Sequence, residues 1–202
     1  MLMPMPVDML VALTWLALVS AITPGPNNAM VASSGANFGY RRSVPHILGV
    51  SVGFAFMLLC VGLFLGKLFQ QSWLVRECLR WAGVGLLIYV SWKIATSHQL
   101  GPQGTMAKPF SFLQAAGFQW FNPKGWAMSI AVTSQFIMVD FPLHSAVIVA
   151  VVFSIVGFWS TSCWAMLGQA IGKFLAQPAR LIWFNRAMAL MILCCIVFLF
   201  QD

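Results

Sequence analysis

Apolar and polar positions divide the chain into six apolar segments. No charged residue occurs between Asp8 and Arg41, and about 20 apolar residues suffice for a helix to cross a bilayer. This first segment should be broken. Pro24 and Pro26 flank Gly25, and each proline removes a backbone donor and clashes with the preceding turn. Two half-helices are expected, over 7–22 and 28–36, with an unwound link between them. The second segment spans 44–68 and closes at Lys67. The third spans 79–95, with Arg80 and Lys93 near its ends, where long basic side chains reach the interface. The fourth spans 110–139 and is interrupted at Asn122-Pro123-Lys124-Gly125. The fifth and sixth span 143–171 and 181–200. The stretch 97–108 is polar and rich in Gly and Pro, and reads as a loop joining two halves.

The halves resemble each other. Pro24 and Pro123, the two interruptions, lie 99 positions apart. Ser51-Val52-Gly53-Phe54 answers Ile155-Val156-Gly157-Phe158. Gly62-xxx-Gly66-Lys67 answers Gly168-xxx-Gly172-Lys173, and Arg80 answers Arg186. Four matches in one order argue for a duplication, with repeat one over 1–97 and repeat two over 109–202 of a single transporter domain. Each repeat has three crossings, so the second is inverted relative to the first. The expected fold is an all-α integral membrane protein of six transmembrane helices in two inverted three-helix repeats, with helices 1 and 4 broken. Interrupted helices at matching places of an inverted repeat point to a transporter's binding site.

Composition agrees with the membrane. The chain is 60% hydrophobic and only 7% charged, against about 25% charged in soluble domains, and its mean hydropathy is +0.87. The net charge of +7 is spread between apolar runs, so it reads as positive-inside loops and excludes a nucleic-acid patch. Arg41, Arg42, Lys93, Lys108, Lys173, Arg180 and Arg186 border links 1–2, 3–4 and 5–6, against Lys67, Arg76 and Arg80 by link 2–3. The richer side should be cytoplasmic and both termini periplasmic, in a bacterial inner membrane. The five cysteines, Cys60, Cys78, Cys163, Cys194 and Cys195, are odd in number and mostly sit in apolar stretches, so they read as buried hydrophobes rather than a disulfide framework. The apolar run 10–19 is preceded by Asp8 and no basic residue, unlike a secretory leader, and is read as retained.

The run Thr23-Pro24-Gly25-Pro26-Asn27, the six short crossings and Asn122-Pro123-Lys124 together resemble the LysE/RhtB family of bacterial amino-acid exporters, over essentially the whole chain. The resemblance implies efflux of small amino acids from the cytoplasm, driven by the proton gradient. Many members carry Asp where this chain has Asn27, so the obvious titratable group is missing here.

The expected substrate-binding residues are those of the two breaks: Thr23, Pro24, Gly25, Pro26, Asn27 and Asn28 in the first, and Gln119, Asn122, Pro123, Lys124 and Gly125 in the second. A half-helix starting near Asn28 or Gly125 offers N–H groups and a partial positive charge to a substrate carboxylate; Asn27 and Asn28 are equally suited to act as N-caps. Lys124 lies mid-segment, where a cation costs at least about 2.5–3.5 kcal/mol. It calls for a carbonyl cluster, a substrate carboxylate or a lowered pKa, or it caps the preceding half-helix. The substrate's ammonium group is expected on unwound carbonyls around Thr23 and Phe121. Trp120 and Trp126 flank the second break and could shape a pocket or mark an interface. Gln114, Gln135, Ser160, Thr161 and Ser162 read as interhelical hydrogen-bonders, Gly62-xxx-Gly66 and Gly168-xxx-Gly172 as close helix contacts, and His46 and His144 as interfacial residues in contact with water.

An enzyme is the weaker reading. Three histidines and four acids form no clustered set, and no P-loop occurs, so no catalytic residue, metal or cofactor is expected. A membrane scaffold would not need a break in each half. The expected partners are a small amino acid and the lipid bilayer, with self-association into a homo-oligomer left open.

Overall fold

The computed structural model describes residues 5–65, 73–96, 108–172 and 177–194, together with 174 and 196. The 97–107 part of the joining loop, Gly66, Lys67, Lys173, Cys195 and positions 197–200 of the sixth segment lie outside these residues. Among the described residues the secondary structure is entirely helical. The helices are α1 (Val7–Ile22), α2 (Pro26–Phe38), α3 (Tyr40–Cys60), α4 (Trp73–Ala95), α5 (Phe112–Phe118), α6 (Pro123–Phe136), α7 (Pro142–Gly172) and α8 (Pro178–Cys194).

Proline chemistry sets most of the boundaries. A residue before proline is driven out of the helical region, and Thr23 accordingly has ψ 131° and ends α1. Pro26 then takes the first position of α2, where no N–H is missed. The expected start near Asn28 is therefore two residues late. The break bends the α1–α2 pair by 56°. Asn122, also before a proline, has ψ 113° and separates α6 from the 3-10 turn Gln119–Phe121 that continues α5. Prolines also open α7 and α8. Gly39, at φ 80°, lets the chain turn between α2 and α3. Pro45 lies inside α3, which continues through a π-turn at Val61–Leu65.

Helix α3 with its π-turn, over Tyr40–Phe64, and α7 are long and apolar enough to cross a membrane, and the bent α1–α2 pair qualifies as a third span. The surface confirms the environment. Val7, Val11, Trp15, Val19 and Ile22 form an exposed stripe on α1, and Leu143, Val147, Val151 and Ile155 another on α7. Meanwhile Asn28, Ser34, His46, Ser51, Gln119, Asn122 and Ser160 are buried. An outside made apolar around a polar-lined inside suits lipid, where helix association relies on hydrogen bonds and close packing rather than on hydrophobic burial.

At the centre α3 packs on α7. Helix α1 lies on α7, α5 lies on α3, and α4 pairs with α8. Helix α2 runs along α7 through small residues only: Gly35 abuts the Ala165 backbone, Gly168 abuts Ala32, and Gly172 abuts Ala36. The expected close contact at Gly168-xxx-Gly172 is thus present. Gly62 in turn faces Ile137 and Thr133.

His46 departs from expectation. It is only 1% exposed; its Nδ1 lies 2.9 Å from Ser34 Oγ and its ring stacks on Phe110 at 5.3 Å. Pro45 sits within α3 instead of starting it, which carries His46 inward and away from water. His144 is half-buried.

Candidate functional site

A helix leaves its last four carbonyls without partners inside the helix. In α1 these sit at the break, deep in an apolar protein, and other elements supply their donors. Lys124 Nζ, from α6, donates to Ser20 O at 2.9 Å and Thr23 O at 2.9 Å. Asn28 Nδ2, from α2, donates to Ala21 O at 2.8 Å and Thr23 O at 3.0 Å. Ser160 Oγ, from α7, donates to Ala21 O at 2.7 Å. The negative end of the α1 dipole is therefore met by a cation and two neutral donors. The Lys124 stem passes over Gly25, where an added Cβ would lie 3.1 Å from its Cδ.

These contacts correct two expectations, both about capping. Lys124 meets carbonyls at the end of α1, about a hundred residues away in sequence, and not those of the half-helix that precedes it. Asn28 is not an N-cap; it caps the C-terminus of α1. The Thr23 carbonyl, expected to receive a substrate ammonium, already accepts from both Lys124 and Asn28.

The two breaks meet a second time through their amides. Asn27 Nδ2 donates to Gln119 Oε1 at 2.9 Å, and Gln119 Nε2 returns a bond to Asn27 Oδ1 at 3.2 Å. Gln119 is fully buried and also donates to Ala115 O at 2.9 Å. Asn27 is therefore no N-cap either. Each partner satisfies the other, so Asn27→Ala and Gln119→Ala should each lower thermal stability. The double variant should cost less than the sum of the singles by about 1 kcal/mol. A thermal-unfolding double-mutant cycle measures this coupling; strict additivity would contradict it.

The two N-termini at the breaks differ. Asn122 caps α6 by accepting from Lys124 N at 3.2 Å. Helix α2 starts after Gly25 with no side-chain cap, leaving its first N–H groups for another acceptor. Trp126 donates to Trp120 O at 2.8 Å, and the two rings pack edge to face at 6.1 Å.

Around these groups lies a cavity of about 80 Å³. Its polar side is made of Ser20, Asn27, Asn28, Lys124, Ser160 and Thr161, and its apolar side of Val50, Phe54, Met128 and Phe153. Gly25, Pro26, Gln119, Asn122 and Gly125 line it too. Thr23 and Pro24, both exposed, do not line it. The α6 backbone starts at Pro123 beside it. Ser51 and Phe54 stand out in the sequence only as part of the repeat match, and Met128 and Phe153 not at all; nothing marks them as cavity-lining until the helices are packed. Among the other polar residues singled out, Gln114 closes a capping box with Ser111, Ser162 accepts from Tyr40 at 3.3 Å, and Gln135 is exposed.

No Asp, Glu or His lines the cavity, and the described residues hold no cluster of metal-ligating side chains. What the site offers is hydrogen-bond donors, helix termini and one ammonium group around a small, half-apolar space. Such equipment binds and releases a solute. Interrupted helices meeting at a small, mostly apolar cavity with hydrogen-bond donors along one side are the equipment of a membrane carrier.

The chain belongs to the LysE type translocator family, which matches residues 18–201. It is a translocator and not an enzyme. It is similar to the cysteine/O-acetylserine efflux protein of Escherichia coli K12, with 33% identity over 185 residues, 91% of this chain and 93% of that one. The proteins of the same name from Shigella flexneri and from Escherichia coli O139:H28 match to the same extent. No solved structure matches the chain.

Proposed function

We propose that this protein exports small zwitterionic amino acids, with cysteine and O-acetylserine as the leading substrates, from the cytoplasm across the bacterial inner membrane. The observation that carries this reading is the convergence of both broken helices on one small cavity. The cavity, about 80 Å³, is small, which suits a small solute. The Phe54, Met128 and Phe153 side suits a short, weakly polar side chain. The names of the similar efflux proteins support the same substrates.

The substrate carboxylate belongs at the uncapped N-terminus of α2, beside Asn27 and Asn28, with Lys124 adding charge. The N-terminus of α6 is a poorer place, because Asn122 already occupies it. Thr23, Pro24, Gly25, Pro26, Gln119, Pro123 and Gly125 shape the two breaks around the solute. Export is driven by the proton gradient; Asn27, an amide, does not carry the proton.

The architecture that goes with this function is a single domain of six crossings in two inverted repeats. The disposition of α1 on α7 and α5 on α3, with α3 against α7 and α4 against α8, supports a pseudo-two-fold relation between the halves. The basic loops put both termini in the periplasm. A reporter fused after Asp202 that fluoresces or acts only in the cytoplasm should therefore stay silent, and activity there would overturn the orientation. The substrate reading is tested by efflux from cells overproducing the protein over a panel of amino acids. Cysteine and O-acetylserine should leave faster than from control cells, and large cationic amino acids should not.

A further inference from the structure

The carbonyls of Ser20 and Thr23 form a cage for one ammonium group, and a lysine fills it. Both oxygens stand 2.9 Å from Lys124 Nζ. They lie at the C-terminal end of α1, where the dipole favours a cation. Ser20 O also accepts from the Thr23 hydroxyl at 3.0 Å, while Asn28 and Ser160 secure Ala21 O and the second position on Thr23 O. The cage thus has its own neutral supports and one cationic occupant, which arrives from the other repeat on a flexible four-carbon stem. Ser20, Asn28 and Lys124 all line the cavity.

We propose that Lys124 is a tethered stand-in for the substrate's α-ammonium group, occupying the Ser20–Thr23 carbonyl cage when the carrier is empty and leaving it when a zwitterion binds. This rests on the small-amino-acid reading above and assigns the ammonium subsite within it. The carboxylate supplies the reason for the exchange. Placed at the α2 N-terminus, it draws Lys124 Nζ off the carbonyls into an ion pair, and the substrate's own ammonium takes the vacated oxygens. The net charge of the site is the same before and after: one cation on the carbonyls when empty, two cations and one carboxylate when loaded, so neither state holds an unpaired charge. A solute with only one of the two groups cannot complete the exchange. A bare amine finds the cage taken. A bare carboxylate pulls Lys124 away and leaves the carbonyls with one donor fewer. The same contact ties α6 to α1, so each loading event releases one tether between the two breaks.

Binding of L-cysteine, cysteamine and 3-mercaptopropionate to the purified full-length protein, followed by titration calorimetry under reducing conditions, tests this directly. Cysteamine carries the ammonium group alone and 3-mercaptopropionate the carboxylate alone. The wild type should bind L-cysteine at least tenfold tighter than either fragment. In Lys124→Met the cage is vacant, so cysteamine should bind at least tenfold tighter than it binds the wild type. The same variant should bind 3-mercaptopropionate more weakly than the wild type does. Lys124→Gln, neutral but still a donor, should move both fragments in the same directions and serves where Lys124→Met does not fold. Lys124→Arg, which keeps the cation, should show no gain for cysteamine. Cysteamine affinity unchanged or lowered in the neutral variants overturns the stand-in. Failure of the wild type to bind L-cysteine overturns the substrate reading instead, while the cysteamine gain still reports on the cage.

Discussion

Lys124→Met should abolish export of cysteine and O-acetylserine while the protein still inserts in the membrane. The substitution removes an ammonium group that makes two charge-assisted bonds to Ser20 O and Thr23 O. Bonds of this kind contribute about 1.5–3 kcal/mol each, so the loss is equivalent to a factor of at least about a hundred in the population of the joined breaks. It also removes the positive charge that a substrate carboxylate would meet. Insertion itself becomes easier, because a cation at mid-segment costs at least about 2.5–3.5 kcal/mol. Export from cells and thermal unfolding of the purified variant are measured together. Both should fall, with export lost at temperatures where the variant is still folded. Unimpaired export with lower thermal stability would make Lys124 a structural cap only, and the substrate model would be wrong.

Gly168→Val should destabilise the fold. A Cβ at this position would sit in the carbonyl of Ala32 on α2, closer than van der Waals contact allows. The obstacle is main chain, so no side-chain rotation relieves it, and the α2–α7 pair must separate. Forced overpacking typically costs about 1–3 kcal/mol, and here the displaced helix also carries Asn27 and Asn28 into the cavity wall. A fall in unfolding temperature of about 5 °C or more is expected, together with loss of export. Gly35→Val, which meets Ala165 from the facing helix, should behave alike. Gly85→Ala is the control, because nothing lies within 4 Å of a Cβ built there; replacing glycine inside a helix should leave stability unchanged or raise it by up to about 1 kcal/mol. A Gly168→Val protein as stable as Gly85→Ala would mean that α2 and α7 are not packed this closely.

The breaks were legible from sequence because their cause is local. Proline forbids the helix at fixed positions, so the end of α1 at Ile22 and the Asn122–Pro123 interruption followed from residue chemistry alone. The small-residue contact on α7 was legible for the same reason, since Gly168 and Gly172 recur at helical spacing. Its counterpart on α2, Ala32, Gly35 and Ala36, was not, because small residues near a break look like the break. Long-range partners were not legible at all. That Lys124 needed carbonyls followed from its depth. That the carbonyls belong to α1 depends on how α6 lies against α1, which no local pattern encodes. For Asn28 the sequence leaves a substrate contact and an N-cap open, and only the N-cap is excluded by the structure. Pro26 instead starts the helix earlier, and the amide of Asn28 turns back to Ala21 and Thr23. His46 was read as a surface residue from the neighbouring proline. Pro45 within α3 and the polar partner Ser34 made burial affordable there.

Uptake of labelled cysteine into inside-out membrane vesicles tests the central claim most directly, because the cytoplasmic face then meets the added solute. The account predicts that vesicles containing this protein accumulate cysteine faster than vesicles lacking it. It also predicts that unlabelled O-acetylserine competes for this uptake and cysteamine does not. Uptake no faster than in vesicles without the protein would contradict the claim that the paired breaks carry a small amino acid out of the cell.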